Sequence, residues 1–342
     1  MRRLSSAAVC ALAIWFSSHP IWAQQEPQPA QNAPAAKPAE QKGPRPSAPN
    51  NEPATGQQPS VPAIDPSRFG KVLDDAFGAY QRGHYLTALK LAQPRAEAGD
   101  AAAQTLIAEI YARGLGVKRD GKEAAKWYGK AADQDDPEAQ LQYGLMLLDG
   151  EFIDRDFDRA FGLMRKAAEA GKPLAQFNLA QMLMETGAKS TEAVTWYERA
   201  AEAGLADAQY AMAQVYSNGF GGKERNEEEA RRWLERAARQ NFETAQLDLG
   251  LWLIEGRGGQ RNMEEGFLWL KRAAESGNVA AQNRLAKAYM AGFGTEPDPI
   301  LAASWYLTAR RAGLTDMDME DFLGGLTDEQ IEEATQRSRE LR

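Results

Sequence analysis

One short phrase recurs along most of this chain, and its period constrains the fold more than any other feature. The dipeptide Ala-Gln returns at spacings of 36, 36, 33, 37 and 36 residues. The six copies on this period begin at Ala103, Ala139, Ala175, Ala208, Ala245 and Ala281. On the same period stand a leucine, Leu163, and five tryptophans, Trp127, Trp196, Trp233, Trp269 and Trp305. A fixed period of this length is typical of repeat architectures, in which each unit packs against its neighbours.

Each copy contains the pattern of two helices. In the first half, Ala103, Ile107 and Tyr111 lie four residues apart, which places them on one helical face. Eight residues past each tryptophan position, a residue that tolerates the left-handed conformation is expected to end the second helix. These residues are Asp135, Gly171, Gly204, Asn241, Gly277 and Gly313. Asp or Asn precedes several second helices as a capping residue, so the unit is predicted to be a helix-turn-helix pair.

Small residues indicate how the helices meet. Four places after each repeated Gln stands Ala108, Gly144, Ala180, Ala213, Gly250 or Ala286. A missing side chain lets a neighbouring helix approach to about 8 Å. The periodic tryptophans are predicted to fill the seam between successive pairs. Trp252 lies on a first helix outside that register, so we treat it as a candidate contact residue.

The first 23 residues have the features of a secretory signal. Arg2 and Arg3 precede an apolar run from Leu4 to Phe16, and Ala23 suits the position before cleavage. The alternative is an uncleaved anchor, although the run is shorter than the ~20 residues that span a bilayer. The only cysteine of the sequence is Cys10, so the mature chain is expected to have no thiol. Export to the periplasm of a Gram-negative bacterium is the expected location.

Residues 24–66 hold eleven of the seventeen prolines. This composition predicts a disordered, semi-stiff linker, with a proline-rich ligand for a partner as the alternative. Residues 67–313 are predicted to form the repeat domain, which begins with a looser copy from Phe69 to Gly99. Residues 314–342 are predicted to form a helical cap, because the last unit of a stack needs a polar outer face.

The phrase resembles the Sel1-like repeats, which are related to the tetratricopeptide repeats. One copy matches their pattern at Ala103-Gln104, Tyr111, Gly114-Leu115-Gly116, Asp120, Ala124, Trp127-Tyr128 and Ala131-Ala132. The resemblance covers about Asp100 to Gly313. It implies an all-α fold, a right-handed α-solenoid of about seven helix-turn-helix repeats with a C-terminal capping helix. In the copy of Ala175 the turn is three residues shorter, with Thr186 in place of Gly, so the stack is expected to be least regular there.

The motifs that could suggest catalysis or ligand binding are better explained by their role in helix structure. The Gly-x-Gly turns lack the strand and the Gly-Lys-Ser/Thr of a phosphate loop, so they are better explained as helix ends. Past the signal, His84 is the only histidine, which leaves no metal cluster and no plausible serine triad. Acidic pairs such as Asp135-Asp136 lie at helix starts, where the helix dipole favours carboxylates. The sequence therefore predicts a non-catalytic protein with no cofactor and no metal.

Candidate contact residues lie on the first helices, on the wall that the resemblance makes concave. They are the positions off the core register, where the copies differ from one another. The set is Glu109, Gln142, Asn178, Gln181, Gln214, Asp248, Arg284 and Lys287, together with Trp252. An ordinary solvated helix face is the alternative for any one of them.

The formal net charge of −8 argues against binding to nucleic acid, because no segment supplies clustered Lys and Arg. The expected function is a periplasmic scaffold or regulator that binds a partner protein of the cell envelope. Exported Sel1-like proteins include regulators of membrane sensor kinases, which the resemblance offers as one partner class. The alternative is a binding or accessory protein for envelope polysaccharide or peptidoglycan. Contact with the membrane is expected only through the signal or a partner.

Overall fold

The computed structural model describes residues 75–185 and 190–341, and these residues form sixteen α-helices and no strand. The helices are α1 (Asp75–Gln81), α2 (Tyr85–Glu97), α3 (Ala101–Arg113), α4 (Gly121–Ala132), α5 (Pro137–Asp149), α6 (Phe157–Glu169), α7 (Pro173–Glu185), α8 (Ser190–Glu202), α9 (Ala206–Asn218), α10 (Glu227–Arg239), α11 (Glu243–Glu255), α12 (Met263–Glu275), α13 (Val279–Ala291), α14 (Pro299–Arg311), α15 (Met317–Gly324) and α16 (Asp328–Glu340). The predicted signal and linker, and the turn of Thr186, lie outside the described residues.

From α1 to α14, each helix packs against the helix before it and the helix after it. These fourteen helices make seven pairs, of which α1 and α2 are the looser first copy. The predicted all-α solenoid is therefore confirmed. Its core consists of alanines and larger apolar side chains packed between successive helices.

The ends of the helices follow the local chemistry of the sequence. The Asp120 side chain accepts hydrogen bonds from the backbone N–H groups of Lys122 and Glu123 at the start of α4. Asp298 caps α14 in the same way, and Pro299 occupies its first turn. Asp135 and Asn241 adopt φ values of +61° and +64°, and the glycines at the same place in the other copies are also left-handed. The predicted helix-ending residues are confirmed.

The six small residues of the first helices are all buried, as predicted. Of the two glycines in this set, Gly250 on α11 has the tighter contact. A Cβ atom added there would lie 2.9 Å from the carbonyl oxygen of Gly266 on α12 and 2.9 Å from Cγ of Leu270. Since real Cβ atoms do not approach so closely, the two backbones can meet here only because both residues are glycine.

The periodic tryptophans lie between helices, with one exception. Trp127, Trp196, Trp233 and Trp305 are between 4% and 8% exposed. Trp269 was expected in the same seam, but it is only half-buried. A Lys or Arg three residues later lies 4.3 to 4.8 Å from the ring centre in four copies, at Lys130, Arg199, Arg236 and Arg272.

The repeated Gln joins each first helix to the helix before it. In all six copies its Nε2 donates a hydrogen bond to the carbonyl of an alanine eight residues earlier, at 2.9 to 3.5 Å. The pairs are Gln104–Ala96, Gln140–Ala132, Gln176–Ala168, Gln209–Ala201, Gln246–Ala238 and Gln282–Ala274. These side chains are at most 7% exposed. Each of these carbonyls also accepts the backbone N–H of the left-handed residue that follows the preceding helix, so the amide adds a second hydrogen bond at the helix end.

The last two helices end the stack differently from a further repeat. α16 packs broadly against α14, whereas α15 touches α14 only lightly. Ala334 and Ser338 of α16 are buried, and so are Ser304 and Thr308 of α14. Thr308 occupies the position at which four earlier copies have an exposed Lys or Arg beside the tryptophan ring. The face of α14 that α16 covers is therefore exposed to solvent in those other second helices.

Candidate functional site

The first helices α3, α5, α7, α9, α11 and α13 share one less buried face, which we call the first-helix wall. We define it by the third and sixth positions after the Ala of each Ala-Gln. Its residues are Leu106, Glu109, Gln142, Leu145, Asn178, Gln181, Ala211, Gln214, Asp248, Leu251, Arg284 and Lys287. All except Leu106 keep part of their surface exposed. Eight of the nine candidate residues occupy these positions, and Trp252 does not.

At the N-terminal end of the wall, Glu109 is held by two neighbours. The hydroxyl of Tyr128 donates to its Oε2 at 2.5 Å, and Arg113 Nε lies 2.5 Å from its Oε1. Burial and the nearby Glu109 carboxylate raise the pKa of Tyr128 well above its usual value. Glu109 is thus part of the contact between α3 and α4, rather than a free surface charge.

Along α5 and α7, the amides bond locally. Gln142 Nε2 donates to Glu138 Oε1 at 3.0 Å, and Lys172 Nζ lies 2.8 Å from the other oxygen of that carboxylate. Burial opposes ionisation of Glu138, but the bonds from Lys172 and Gln142 prevail and lower its pKa. Asn178 Nδ2 donates back to the carbonyl of Leu174 at 2.7 Å.

The centre of the wall contains half-buried acids. The hydroxyl of Tyr210 donates to Asp248 Oδ2 at 2.9 Å, across from α9 to α11. Burial raises the pKa of Asp248 despite this bond, and burial also raises the pKa of Asp207, one turn before Tyr210. Within the described residues, neither carboxylate has an ion pair. Such acids favour a cationic neighbour, because a positive charge would offset the cost of their desolvation.

Trp252 does not belong to the wall surface. Its side chain is 8% exposed, and the guanidinium carbon of Arg257 lies 3.9 Å from the ring centre. Arg257 also bonds to Glu227 at 3.2 Å. The structure therefore places the predicted contact residue Trp252 in the core under an arginine, because the seventh position after Ala245 faces inward.

At the C-terminal end, two cations have different surroundings. Arg284 is exposed. Lys287 Nζ lies 2.8 Å from Asp316 and 2.9 Å from Asp318, and Asn283 Nδ2 donates to the same Asp316 carboxylate at 2.8 Å. The bond with Asp316 is the main reason that the pKa of Lys287 is raised. Lys287 therefore fastens α13 to the start of α15.

The wall offers binding chemistry. It combines amides, carboxylates, one exposed guanidinium and half-buried apolar side chains such as Leu145 and Leu251. In the described part of the chain, His84 is exposed and no group of three or more His, Cys, Asp or Glu side chains is placed to hold a metal ion. No described helix is both long enough and apolar enough to cross a membrane.

Sequence reasoning missed three wall-side residues. Tyr210 lies one residue before the third position of its copy and Asp207 one residue before the Ala of Ala-Gln, so the register used for prediction excluded both. Arg257 is in a turn, beyond the helix that carries Trp252. A window that included the second position after the Ala would have found Tyr210, which is the only residue with a phenol hydroxyl among Thr105, Leu141, Phe177, Tyr210, Leu247 and Asn283.

Comparison with known proteins follows the same repeats. The Sel1 repeat family model matches six consecutive segments, residues 101–136, 137–172, 173–205, 206–242, 244–278 and 279–314. An uncharacterized protein of Neisseria meningitidis serogroup B is 34% identical over 140 residues, which is 41% of this chain and 29% of that protein. Chitin synthase regulatory factor 3 of Schizosaccharomyces pombe is 28% identical over 218 residues, which is 60% of this chain and 23% of that protein. This chain matches less than a third of the length of either relative.

Two solved structures resemble the fold. A Sel1 repeat protein from Oxalobacter formigenes has a TM-score of 0.62 at 28% identity and covers 71% of this chain and 98% of its own. A protective antigen of uropathogenic Escherichia coli has a TM-score of 0.55 at 27% identity and covers 78% of this chain and 67% of its own. Sel1 repeats generally mediate interactions between proteins and are typically non-catalytic. Because the family model matches every helix from α3 to α14, this chain belongs to the Sel1 repeat family.

Proposed function

We propose that this protein is a non-catalytic scaffold or regulator of the bacterial cell envelope, which binds a partner protein through the first-helix wall. One observation carries the proposal: the core of the repeat is constant, whereas the wall changes from copy to copy. The repeated Gln and the small residue four places later are buried in every copy. The third position between them is Leu106, Gln142, Asn178, Ala211, Asp248 or Arg284. A surface free of packing constraints can differ along its length and so recognise one extended partner.

Two further features support a role in the envelope. The first 23 residues have the composition of a secretory signal, which would deliver the chain to the periplasm. Chitin synthase regulatory factor 3 is named as a regulator, and regulation by binding is a role that a repeat scaffold can perform. The proposed partner class is therefore an envelope complex or the periplasmic domain of a sensor kinase, and the wall is the proposed concave face.

Site-specific photocrosslinking in intact cells tests this proposal. A benzoylphenylalanine residue would be introduced at Gln181 or Gln214 of the wall and, as matched controls, at Thr195 or Arg239 on second helices, which are exposed. We expect the two wall positions to give the same discrete protein adduct and the two control positions to give none. The adduct should appear in the periplasmic fraction, with this chain starting at Gln24.

A double substitution provides the second readout. In the chain that carries the probe at Gln214, Gln181→Ala with Arg284→Ala should abolish the adduct without lowering the unfolding temperature, because the structure gives these side chains no large role in packing. Glu109 and Lys287 are left unchanged, since both hold neighbouring helices. Equal crosslinking from wall and control positions would refute binding through the wall. Adducts with glycan in place of protein would favour the alternative of polysaccharide or peptidoglycan binding.

A further inference from the structure

The second Sel1 repeat, residues 137–172, differs from the others at a pair of positions that act together. In four repeats, a glutamate stands four residues before the tryptophan, at Glu123, Glu192, Glu229 and Glu265. The indole N–H groups of Trp127 and Trp269 donate to these carboxylates at 2.8 and 3.4 Å. In the second repeat, Leu163 replaces the tryptophan and Arg159 replaces the glutamate. The indole and its acceptor have therefore been lost together.

In this repeat Arg159, at the position of the glutamate, makes contacts that the glutamate does not make in the other repeats. Arg159 Nη2 donates to Asp133 Oδ1 at 3.1 Å, and its guanidinium carbon lies 5.0 Å from the centre of the Tyr143 ring. Tyr143 is half-buried, whereas Ile107, Leu179, Met212, Leu249 and Leu285 at the same position are fully buried. Gly129 makes room for this ring, because a Cβ atom there would lie 3.3 Å from Tyr143 Cζ. The exchange leaves an aromatic side chain facing outward at this repeat.

A groove results between the end of α5 and the start of α6. It has a volume of about 530 Å³, and its apolar lining comes from Tyr143, Leu147, Ile153 and Phe157. Phe157 is 44% exposed, and its ring stacks on that of Phe161 with centres 6.4 Å apart. An exposed aromatic ring at the mouth of a groove with both apolar and charged lining residues is the kind of side chain that anchors a bound peptide.

Some charged side chains at the rim of this groove already have hydrogen-bond partners, and others are free to contact a ligand. Arg155 Nε donates to the carbonyl of Asp149 at 2.9 Å, and Arg159 is engaged by Asp133. Asp156 caps α6 by accepting from the backbone N–H of Arg159 at 2.9 Å. Asp154 and Asp158 are exposed and have no ion pair within the described residues. The lining carries three carboxylates, those of Asp154, Asp156 and Asp158, against the two guanidinium groups of Arg155 and Arg159. Its net charge is therefore negative, and the complement is a Lys or Arg side chain.

We propose that this groove, lined by Tyr143, Leu147, Ile153 and Phe157, is a second binding site that takes an extended peptide segment of a partner. The segment carries an aromatic or aliphatic side chain that packs against Phe157 and Tyr143. A Lys or Arg beside it pairs with Asp154 or Asp158. The site lies apart from the first-helix wall, and it stands whether or not the wall binds a partner.

A peptide display experiment on the full chain tests the proposal. A random library of dodecapeptides would be selected on the immobilised protein, and the enriched sequences would be made as fluorescein-labelled peptides for anisotropy titrations. We expect a shared aromatic or aliphatic residue next to Lys or Arg. Phe157→Ala should weaken binding about tenfold or more, as loss of a central aromatic anchor does. Asp154→Asn with Asp158→Asn should weaken it further and reduce its dependence on salt.

Two control variants keep the result specific. Leu268→Ala removes a more exposed apolar side chain, 56% exposed, on α12, and should leave the titrations unchanged. Gln181→Ala on the wall should also leave them unchanged. Unfolding temperatures within a few degrees of the parent would show that Phe157→Ala still folds. Enriched peptides without a basic residue, equal binding to the Phe157→Ala protein, or no enrichment at all would overturn the proposal. A smaller sedimentation coefficient for Phe157→Ala than for the parent would do so too, since the groove would then join two copies of this chain.

Discussion

At the scale of single residues, the repeated Gln is the side chain with the clearest role. Its Nε2 always has a partner, but its Oε1 is satisfied in only some repeats. Gln134 and Gln240, each just before the left-handed residue that ends its repeat, donate to Gln104 and Gln209 at 2.8 Å. In the described residues, the Oε1 atoms of Gln176 and Gln246 are buried without a hydrogen-bond partner. An unmet buried acceptor costs about 1 to 3 kcal/mol, so these two repeats keep an avoidable loss of stability.

Ser276→Gln should recover part of that loss. Ser276 precedes Gly277, so it occupies the place of Gln134 and Gln240, and a glutamine there can donate to Gln246. We expect the free energy of unfolding to rise by about 0.5 to 1.5 kcal/mol, the net value of one hydrogen bond. Equilibrium denaturation with urea measures it. Ser276→Ala is the control, since it removes the hydroxyl without supplying a donor. Equal midpoints for the Gln and Ala variants would mean that the new amide does not reach Gln246.

At the scale of helices, the distance between paired helices depends on which small residue stands at the contact. Gly250 and Gly266 let α11 and α12 approach until a Cβ atom on either would meet the opposing carbonyl oxygen, at 2.9 and 2.6 Å. Gly162, on the outer side of α6, would meet nothing within 4 Å. A methyl group at Gly250 would therefore clash with α12, whereas a methyl group at Gly162 would extend into open space.

Gly250→Ala and Gly162→Ala should change stability in opposite directions. The first forces α11 and α12 apart and should cost about 1 to 3 kcal/mol through overpacking. The second improves helix propensity in open space and should stabilise by about 0.5 to 1 kcal/mol. Thermal unfolding followed by circular dichroism compares them directly. Destabilisation by both variants would show that loss of glycine, rather than close approach, sets the effect.

At the scale of the whole molecule, α16 ends the stack by covering the outer side of α14. It buries Ser304 and Thr308, and the carbonyl of Ser338 accepts hydrogen bonds from Thr308 Oγ1 and Arg311 Nη2. Stability in a solenoid is close to a sum of terms between neighbouring units. The cap should therefore protect the last pair, α13 and α14, far more than distant pairs.

A chain that stops after Gly325 tests this locality. Without α16, the amides of α13 and α14 should exchange with solvent markedly faster, whereas those of α3 to α8 should keep their rates. Hydrogen exchange read by mass spectrometry resolves the helices. Glu333→Ala, which breaks only the exposed pair with Arg337, is the matched control and should change neither region. Faster exchange along the whole stack would contradict neighbour-limited stability.

The sequence could predict the structural features that all the repeats share, but few of the features in which single repeats differ. The helix pairs, the left-handed ends at Asp135 and Asn241 and the buried small residues all follow from local spacing. The half-exposed state of Trp269 and the burial of Trp252 do not follow from local spacing. Burial between helices depends on how each helix pair is rotated relative to its neighbours. Lys287 was predicted as a contact residue of the wall, but it binds Asp316 and Asp318, which lie beyond the last repeat. The groove beside Phe157 needs four side chains from two helices and a turn, which no single motif contains.

The bond between each repeated Gln and the preceding helix has a consequence for the gene. Every acceptor is the carbonyl of an alanine at the end of a second helix, so the donor of one repeat would find the same acceptor at the end of any other. A recombination event that removes or duplicates about one period would therefore rejoin two compatible surfaces. The number of repeats can change in a single genetic step, while each surviving wall or groove residue keeps its immediate surroundings.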